Sequence, residues 1–198
     1  MNKMPKQKKR RQTRKKADIV TAAEKLFTRF GAKRVSVEEI CRKANVSKMT
    51  FYRYFTNKIV LVRHIRDVYV EDGFRKFDEI KALDIPFAEK VDLMTHWKVA
   101  FGDRIGAGFI REMVSIDDVV ASVKERFLGN LKEAREKGEI RKDIDPEFLW
   151  MVIDKLSELV RDGSWKTVCD DFGDYQYQMR TLIFYGLLSR AEVQKSGT

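Results

Sequence analysis

The stretch of sequence that decides the fold spans residues 36–58 and reads SVEEICRKANVSKMTFYRYFTNK. Ser36 precedes an apolar run at helical spacing, and Glu39 follows it by three residues, a pair that predicts a capping box at a helix N-terminus. Ser47 is the predicted N-cap of a second short helix. Because only residues 45–47 separate the two helices, they must cross steeply, and that geometry defines a helix-turn-helix.

Another helix is predicted on the N-terminal side of this stretch. Apolar residues recur every three or four positions from Ala17 to Phe30, and Gly31 is expected to end the helix in a left-handed conformation. Residues 1–16 lack this period and contain nine Lys or Arg residues, so we expect a mobile basic arm. The arm is either a solubilising tail or a segment that follows the phosphate backbone or enters a minor groove.

Residues beyond the helix-turn-helix also show helical periodicity, with no convincing strand alternation. Three glycines between positions 102 and 108 predict a break between helices, and the composition of residues 164–173 predicts a polar loop. Asp145-Pro146 is expected to start a helix that ends near Gly163. The predicted fold is all-α with about nine helices: an N-terminal three-helix helix-turn-helix domain and a larger C-terminal helical domain.

Positive charge is concentrated in the first third of the chain. The formal net charge is +10, yet residues 1–58 hold 18 Lys and Arg against 4 Asp and Glu. The remaining residues hold 22 basic against 26 acidic side chains. A confined basic region is the electrostatic footprint of a protein that binds a polyanion, whether DNA, RNA or an anionic membrane.

The composition argues against several other classes of protein. No apolar run approaches the roughly 20 residues that span a bilayer, and no apolar signal segment follows the basic N-terminus, so we expect a cytoplasmic protein without a membrane partner. Cys41 and Cys169 form no C-x-x-C pair, and His64 and His96 stand alone, so we predict no metal site. No catalytic or phosphate-loop constellation is present, and we expect neither an enzyme nor a cofactor.

Residues 36–58 resemble the DNA-binding domain of the TetR family. That pattern has a small-residue turn, a Val-Ser pair, an aromatic Tyr-x-x-Phe helix and a Lys that opens helix 4, matched here by Val46-Ser47, residues 52–55 and Lys58. Asn45 stands where the family usually has Gly, and the turn survives because asparagine tolerates a left-handed backbone. Met49 occupies a position often held by a small residue, so a known operator sequence does not transfer to this chain.

The resemblance implies that different segments of the chain have different functions. We divide it into a flexible basic arm (1–16), a helix-turn-helix DNA-binding domain (17–58) and a helical ligand-binding and dimerisation domain (59–198). The helix that follows Ser47 is expected to enter the major groove of double-stranded DNA, where Lys48 would donate to guanine and Thr50 would meet a phosphate or a thymine methyl. The predicted DNA-contacting residues are Ser36, Lys48, Met49, Thr50, Tyr52, Arg53, Tyr54 and Lys58.

The same resemblance implies that a small ligand binds between helices 4 and 8 and releases the DNA. Bulky side chains of the second part either form core or line a pocket for an apolar or amphipathic molecule. The predicted pocket residues are Trp97, Phe101, Phe109, Met113 and Trp150. No metal or catalytic residue belongs to this prediction.

The last two long helices are the candidate dimer interface, with an intramolecular core face as the competing interpretation. Two such helices from each subunit would form a four-helix contact in a homodimer. The predicted interface residues are Leu149, Val152, Ile153, Leu156, Val160, Met179, Leu182, Ile183, Gly186 and Leu187.

The function expected from these features is that of a ligand-released repressor at a palindromic operator. Helix 4 joins both parts, so a ligand that favours a different tilt of this helix would change the spacing of the two recognition helices. The alternative is a basic protein that binds DNA without sequence preference or a ligand-controlled switch. An activator is also open, since the fold does not specify the sign of regulation.

Overall fold

Helices make up nearly all of the regular backbone. The structure, a computed structural model, describes residues 6–116 and 120–187. Within those ranges it has nine α-helices, one 3-10 turn over Ser164–Thr167 and no β-strand, which confirms the predicted all-α fold. In chain order the helices are α1 (Lys6–Phe30), α2 (Val37–Ala44), α3 (Lys48–Tyr54), α4 (Lys58–Lys81), α5 (Phe87–Ile105), α6 (Ala107–Val114), α7 (Val120–Glu136), α8 (Pro146–Asp162) and α9 (Phe172–Leu187).

Helix α1 begins earlier than the sequence predicts. The segment expected to be a mobile arm is helical from Lys6 onward, and residues 1–5 lie outside the described part of the chain. The Lys, Arg and Gln residues of this segment have high helix propensity, and extending an existing helix costs far less than nucleating a new one. Helix α1 therefore extends through most of the predicted arm.

The predicted helix ends are confirmed wherever a capping residue marked them. Ser36 and Glu39 form the capping box of α2, and Asn45 ends that helix in the left-handed conformation with φ 52°. Ser47 caps α3. Asp145 caps α8, whose last turn closes at Gly163 with φ 84°. A capping side chain contributes about 1 kcal/mol, so these short helices are well defined by local sequence.

The glycine-rich break between α5 and α6 is narrower than predicted. Gly102 lies inside α5 and is buried, so the break falls at Gly106 alone, where φ is 81°. A Cβ atom at Gly106 would lie 3.3 Å from the carbonyl oxygen of Thr28 in α1. Glycine is required at this position for both its backbone angle and its close approach to α1.

The chain forms two compact units, and the first is discontinuous in sequence. It contains the residues up to Glu71 together with Ile105–Met113, so α6 belongs with the helix-turn-helix. Its core is made of large aliphatic and aromatic side chains with almost no exposed surface, including Ile19, Phe27, Ile40, Phe51, Leu61, Ile65 and Phe109. The division at residue 58 expected from the sequence differs from these units, because α4 contributes Leu61 and Ile65 to the core that also holds α6.

The second unit comprises Asp72–Arg104 and the chain from Val114 onward. Within it, the rings of Phe127 in α7 and Trp150 in α8 lie 5.5 Å apart. Residues 164–173 were predicted to form a polar loop, but part of this segment is buried. Trp165 and Cys169 lie in the core, where they pack with Tyr175. The indole of Trp165 has a large apolar surface, and its burial holds this mostly polar segment against α8 and α9.

Candidate nucleic-acid interface

Helix α3 presents two opposite faces. Phe51 is fully buried and packs against Phe55, while Met49 is 76% exposed. At 100° per residue, Met49 lies about 200° from Phe51 around the helix, and Arg53 lies on the same outer side. The outer side therefore carries an apolar and a cationic side chain, both exposed, on a helix held by its aromatic inner side.

Lys48 does not project freely from the first turn of α3. Its ammonium forms an ion pair with Glu38 of α2, and both side chains remain more than half exposed. The hydrogen bond from Lys48 lowers the pKa of the Glu38 carboxyl, and the same bond raises the pKa of Lys48. The predicted guanine donor thus has an intramolecular carboxylate as its partner, which the sequence reasoning missed although both charges were visible.

The other predicted DNA-contacting residues of α3 differ in how they are held. Thr50 donates its amide to the Ser47 hydroxyl at 3.2 Å, and the two hydroxyl oxygens lie 3.0 Å apart. Tyr52 is 51% exposed, with its ring edge-on to Phe51 at 5.4 Å. Arg53 is exposed and Tyr54 is half-buried. Tyr52 and Arg53 therefore have accessible side chains, and their DNA contacts stay a prediction.

The predicted phosphate contact of Ser36 conflicts with its hydrogen bonds. The Ser36 amide and hydroxyl both donate to the Glu39 carboxylate, at 2.7 and 2.8 Å, and the hydroxyl also accepts the Glu39 amide. The backbone bond from Ser36 is the largest cause that lowers the pKa of Glu39. A hydroxyl committed to a carboxylate is a poor donor to a phosphate, so Ser36 acts as a helix cap.

The predicted phosphate contact of Lys58 stays a prediction, and in this structure its ammonium has other partners. The Lys58 ammonium donates to the carbonyl oxygens of Ala32, Lys33 and Val35, at 2.6, 3.2 and 2.7 Å. An ammonium has three N–H donors, and all three have acceptors here. Lys58 therefore caps the turn between α1 and α2, where Lys33 and Arg34 are exposed.

The side chain of Glu112 binds the backbone amide groups of the same turn. Its carboxylate accepts the N–H groups of Ala32 and Lys33, the latter at 3.2 Å. Next to it in α6, Phe109 packs its ring 5.1 Å from that of Phe27 in α1. No local sequence signal indicated these contacts, because about eighty residues separate the partners.

Two predicted pocket residues are core residues of the first unit instead. Phe109 is 1% exposed and packs on Phe27, and Met113 is buried on the same side of α6. Their apolar character is explained by this core, since α6 buries one face against α1. The structure thus gives both residues a role in the core, and their role in a ligand pocket stays a prediction.

The other pocket predictions fall in the second unit. Trp97 stacks on Phe101 with a centroid distance of 5.1 Å and lies beside Gly73 of α4. A groove of about 280 Å³ adjoins Trp97, and its remaining lining residues are the charged Asp72, Arg75, Lys76, Glu79 and Arg104. This groove is too polar for the apolar pocket that was predicted, and the ligand roles of Trp97, Phe101 and Trp150 stay predictions.

The predicted dimer residues divide between inner and outer faces. Leu149 is 7% exposed and Met179 packs on the Trp165 cluster, so both serve the core of one protomer. Leu182 is 69% exposed, and Phe148 and Met151, which were not predicted, are also exposed. Val152, Ile153, Leu156 and Ile183 are half-buried. The structure describes Val160, Gly186 and Leu187 only as helical backbone, so their predicted interface role stays a prediction.

The described part of the chain holds no grouping of three or more His, Cys, Asp or Glu suited to a metal ion. None of its helices is long and apolar enough to cross a membrane. Cys41 and Cys169 are both buried, and burial raises the pKa of each thiol.

A capped helix-turn-helix with an exposed outer face on α3 defines a DNA-binding transcriptional regulator. Residues 19–65 match the family described as bacterial regulatory proteins, tetR family. The chain is 29% identical over 148 residues to the uncharacterized HTH-type transcriptional regulator YhgD of Bacillus subtilis (strain 168), covering 70% of this chain and 78% of that protein. It is 22% identical over 166 residues to the HTH-type transcriptional repressor KstR2 of Rhodococcus jostii (strain RHA1), covering 78% of each.

The fold of the whole chain is also found among solved structures. A gamma-butyrolactone receptor described as an ArpA-like protein superposes with a TM-score of 0.62 at 19% identity, covering 92% of both chains. Residues 19–65 therefore carry the part of the chain that matches the tetR family of bacterial regulatory proteins, and most of the chain is similar in sequence to HTH-type transcriptional regulators.

Proposed function

We propose that the protein is a homodimeric repressor that binds a palindromic operator and is released by a small-molecule inducer. The observation that carries DNA reading is the outer face of α3, where Met49 and Arg53 are exposed opposite the buried Phe51, with the exposed Tyr52 at the side of the helix. Side chains on such a face reach base edges when the helix enters the major groove. The basic charge of the first 58 residues adds the sequence-independent attraction to phosphates.

Repression and induction are supported by the similarity of this chain to two known proteins. KstR2 is named a repressor, and the gamma-butyrolactone receptor is named for a small molecule. We extend both properties to this chain as parts of the proposal. The exposed Leu182, together with Phe148 and Met151, is the proposed contact between two copies, since apolar side chains of this size are normally covered.

Selection of bound duplexes from a random DNA library tests the proposal. We expect a palindrome to be enriched, with a preference of roughly 10³-fold or more over scrambled DNA at fixed salt. Tyr52→Ala should abolish this preference, whereas Lys142→Ala, an exposed cation of the second unit, should preserve it. Equal, salt-sensitive binding to every duplex would instead favour the basic protein without sequence preference.

The dimer is tested by sedimentation equilibrium. Leu182→Asp changes an exposed side chain, so each protomer should stay folded while the dimer dissociates. An unchanged mass for this variant and for Phe148→Asp would place the interface elsewhere. Repression is tested by transcription in vitro from a promoter that carries the selected palindrome, where an activator would raise the transcript level.

A further inference from the structure

Helix α6 has two chemically different sides. Phe109, Glu112 and Met113 face the core of the first unit, as described above. Arg111 lies two residues from both Phe109 and Met113, which places it about 200° away around the helix. Its side chain therefore leaves α6 on the side opposite the one that contacts α1.

Arg111 is half-buried, and its Nε–H is the feature that distinguishes it. The Nε atom is buried, and within the part of the chain that the structure describes it has no hydrogen-bond partner. A guanidinium stays charged at every physiological pH and offers five N–H donors in a planar fork. Proteins rarely bury such a donor without an acceptor, because the lost hydration is costly.

The chemistry of the missing acceptor follows from the chemistry of the donor. A planar fork of N–H groups matches the two oxygens of a carboxylate or of a phosphate ester, and such charge-assisted pairs are among the stronger hydrogen bonds. A neutral carbonyl would satisfy the Nε–H but leave the charge of the guanidinium uncompensated in a partly desolvated place.

We propose that Arg111 is the residue that recognises the inducer, and that the inducer carries an oxyanion, a carboxylate or a phosphate ester. This inference rests on the proposed ligand-controlled function and narrows its ligand to molecules with such a group. The oxyanion pairs with the guanidinium of Arg111 on one side of α6, while the other side of the same helix keeps its contacts with α1 and the turn that follows it.

A first experiment measures binding without DNA, using the full-length protein. Straight-chain carboxylic acids from hexanoate to hexadecanoate are titrated beside the alcohols of equal length and the corresponding alkyl phosphates. We expect at least one acid or phosphate to bind about tenfold or more tightly than its alcohol, the difference that a charged hydrogen bond supplies. The acid and phosphate series identify which oxyanion the site prefers.

The variants assign that preference to Arg111. Arg111→Met should reduce it to about onefold, and Arg111→Lys, which keeps the charge but loses the fork, should retain only part of it. Arg104→Met is the matched control, since Arg104 is an exposed arginine of α5 that borders the charged groove. Equal preference in Arg111→Met, its loss in Arg104→Met, or no preference for any anion in the wild type would each overturn the proposal.

A second experiment measures anion binding to the wild-type protein directly. The ¹⁵N–¹H resonance of the Arg111 Nε–H, assigned from its absence in Arg111→Lys, is followed while acetate or inorganic phosphate is added. A saturable shift supports an anion site, and a resonance that ignores both anions contradicts it. Because neither assay contains DNA, failure to find an operator leaves this result intact, and anion binding that releases no operator would reject only the switch.

Discussion

Glu112 and Lys58 bind the same turn, Glu112 through the backbone N–H groups of the turn and Lys58 through its backbone carbonyl groups. Glu112 accepts the N–H groups of Ala32 and Lys33, and Lys58 donates to the carbonyl oxygens of Ala32, Lys33 and Val35. The peptide groups on both sides of Ala32 are thus satisfied by two ionised side chains from α6 and α4. The turn leads directly into Ser36 and α2, so these two residues position the start of the helix-turn-helix.

Replacing Glu112 by Gln should destabilise the first unit by about 1 to 2 kcal/mol. The change keeps the shape of the side chain but removes the charge, and hydrogen bonds to a charged group are worth more than neutral ones. Urea unfolding gives the free energy, and hydrogen exchange at the amides of Ala32 and Lys33 locates the effect. Glu125→Gln, at an exposed position of α7, is the control. Unchanged exchange at both amides would contradict the role given to Glu112.

Replacing Lys58 by Met separates capping from phosphate binding. We expect a loss of about 2 kcal/mol in the free energy of unfolding, because three carbonyl oxygens lose a charged donor. The slope of log affinity for DNA against log salt should not change. A phosphate contact would instead lower that slope by roughly 0.9 for each subunit, and such a result would restore the role first predicted for Lys58.

Replacing Glu38 by Gln should release Lys48. The free ammonium can then reach a phosphate or a guanine, so binding to scrambled DNA should tighten and its salt slope should steepen, by at most about 0.9 per subunit. Lys48→Gln should leave that slope near its wild-type value, since Lys48 is already paired. Asp18→Asn, an exposed carboxylate of α1, controls for the general change in charge. If Glu38→Gln behaves like Asp18→Asn, the ion pair does not restrain Lys48.

Met49 is expected to contact a thymine methyl group. It is the most exposed apolar side chain of α3, and apolar contact is how proteins read that methyl. Substituting deoxyuridine for single thymines in the selected palindrome should weaken wild-type binding about fourfold at one position per half-site, the value of roughly 0.8 kcal/mol for one buried methyl. Met49→Ala should be insensitive to the same substitution. Sensitivity that persists in Met49→Ala would assign the contact to another residue.

His64 gives the first unit a dependence on pH. Desolvation beside Phe55 and then the charge of Lys16 lower the pKa of its imidazole below the ordinary value. The unfolded chain therefore binds the proton first, and stability should fall as the pH drops from 7 through about 6.5, with a slope of at most about 1.4 kcal/mol per unit. Urea unfolding at pH 7.5 and 5.5 should show a smaller difference in His64→Phe. An equal difference in both proteins would remove His64 as the cause.

The sequence predicts what short-range physics decides. The capping box of Ser36 and Glu39, the left-handed Asn45 and the buried side of α3 all depend on residues within a few positions of one another, and each prediction is confirmed. Residue roles taken from resemblance carry no geometry. The ammonium of Lys58 was predicted to contact DNA, and the sequence did not reveal that it has acceptors in the turn before α2.

Long-range pairing accounts for the rest of what the sequence left open. Phe109 has the same apolar signature whether it lines a pocket or packs on Phe27, and only the fold distinguishes the two. Leu149 and Phe148 are neighbours on α8, yet Leu149 is buried and Phe148 is exposed. The helical period alone locates the buried face of a helix only to within one residue. An orphaned donor such as the Arg111 Nε is invisible until its surroundings are known.

The discontinuity of the first unit has a consequence for how the protein is made and how it can be rebuilt. During synthesis α1 to α3 are translated before Phe109 and Glu112, so the contacts of these two residues with Phe27, Ala32 and Lys33 can form only after the middle of the chain has been made. A chimera cut once, after α4, would leave α6 of this chain behind. In this protein one cut would transplant an unfinished module, and a working chimera would have to carry α6 along with α1 to α4.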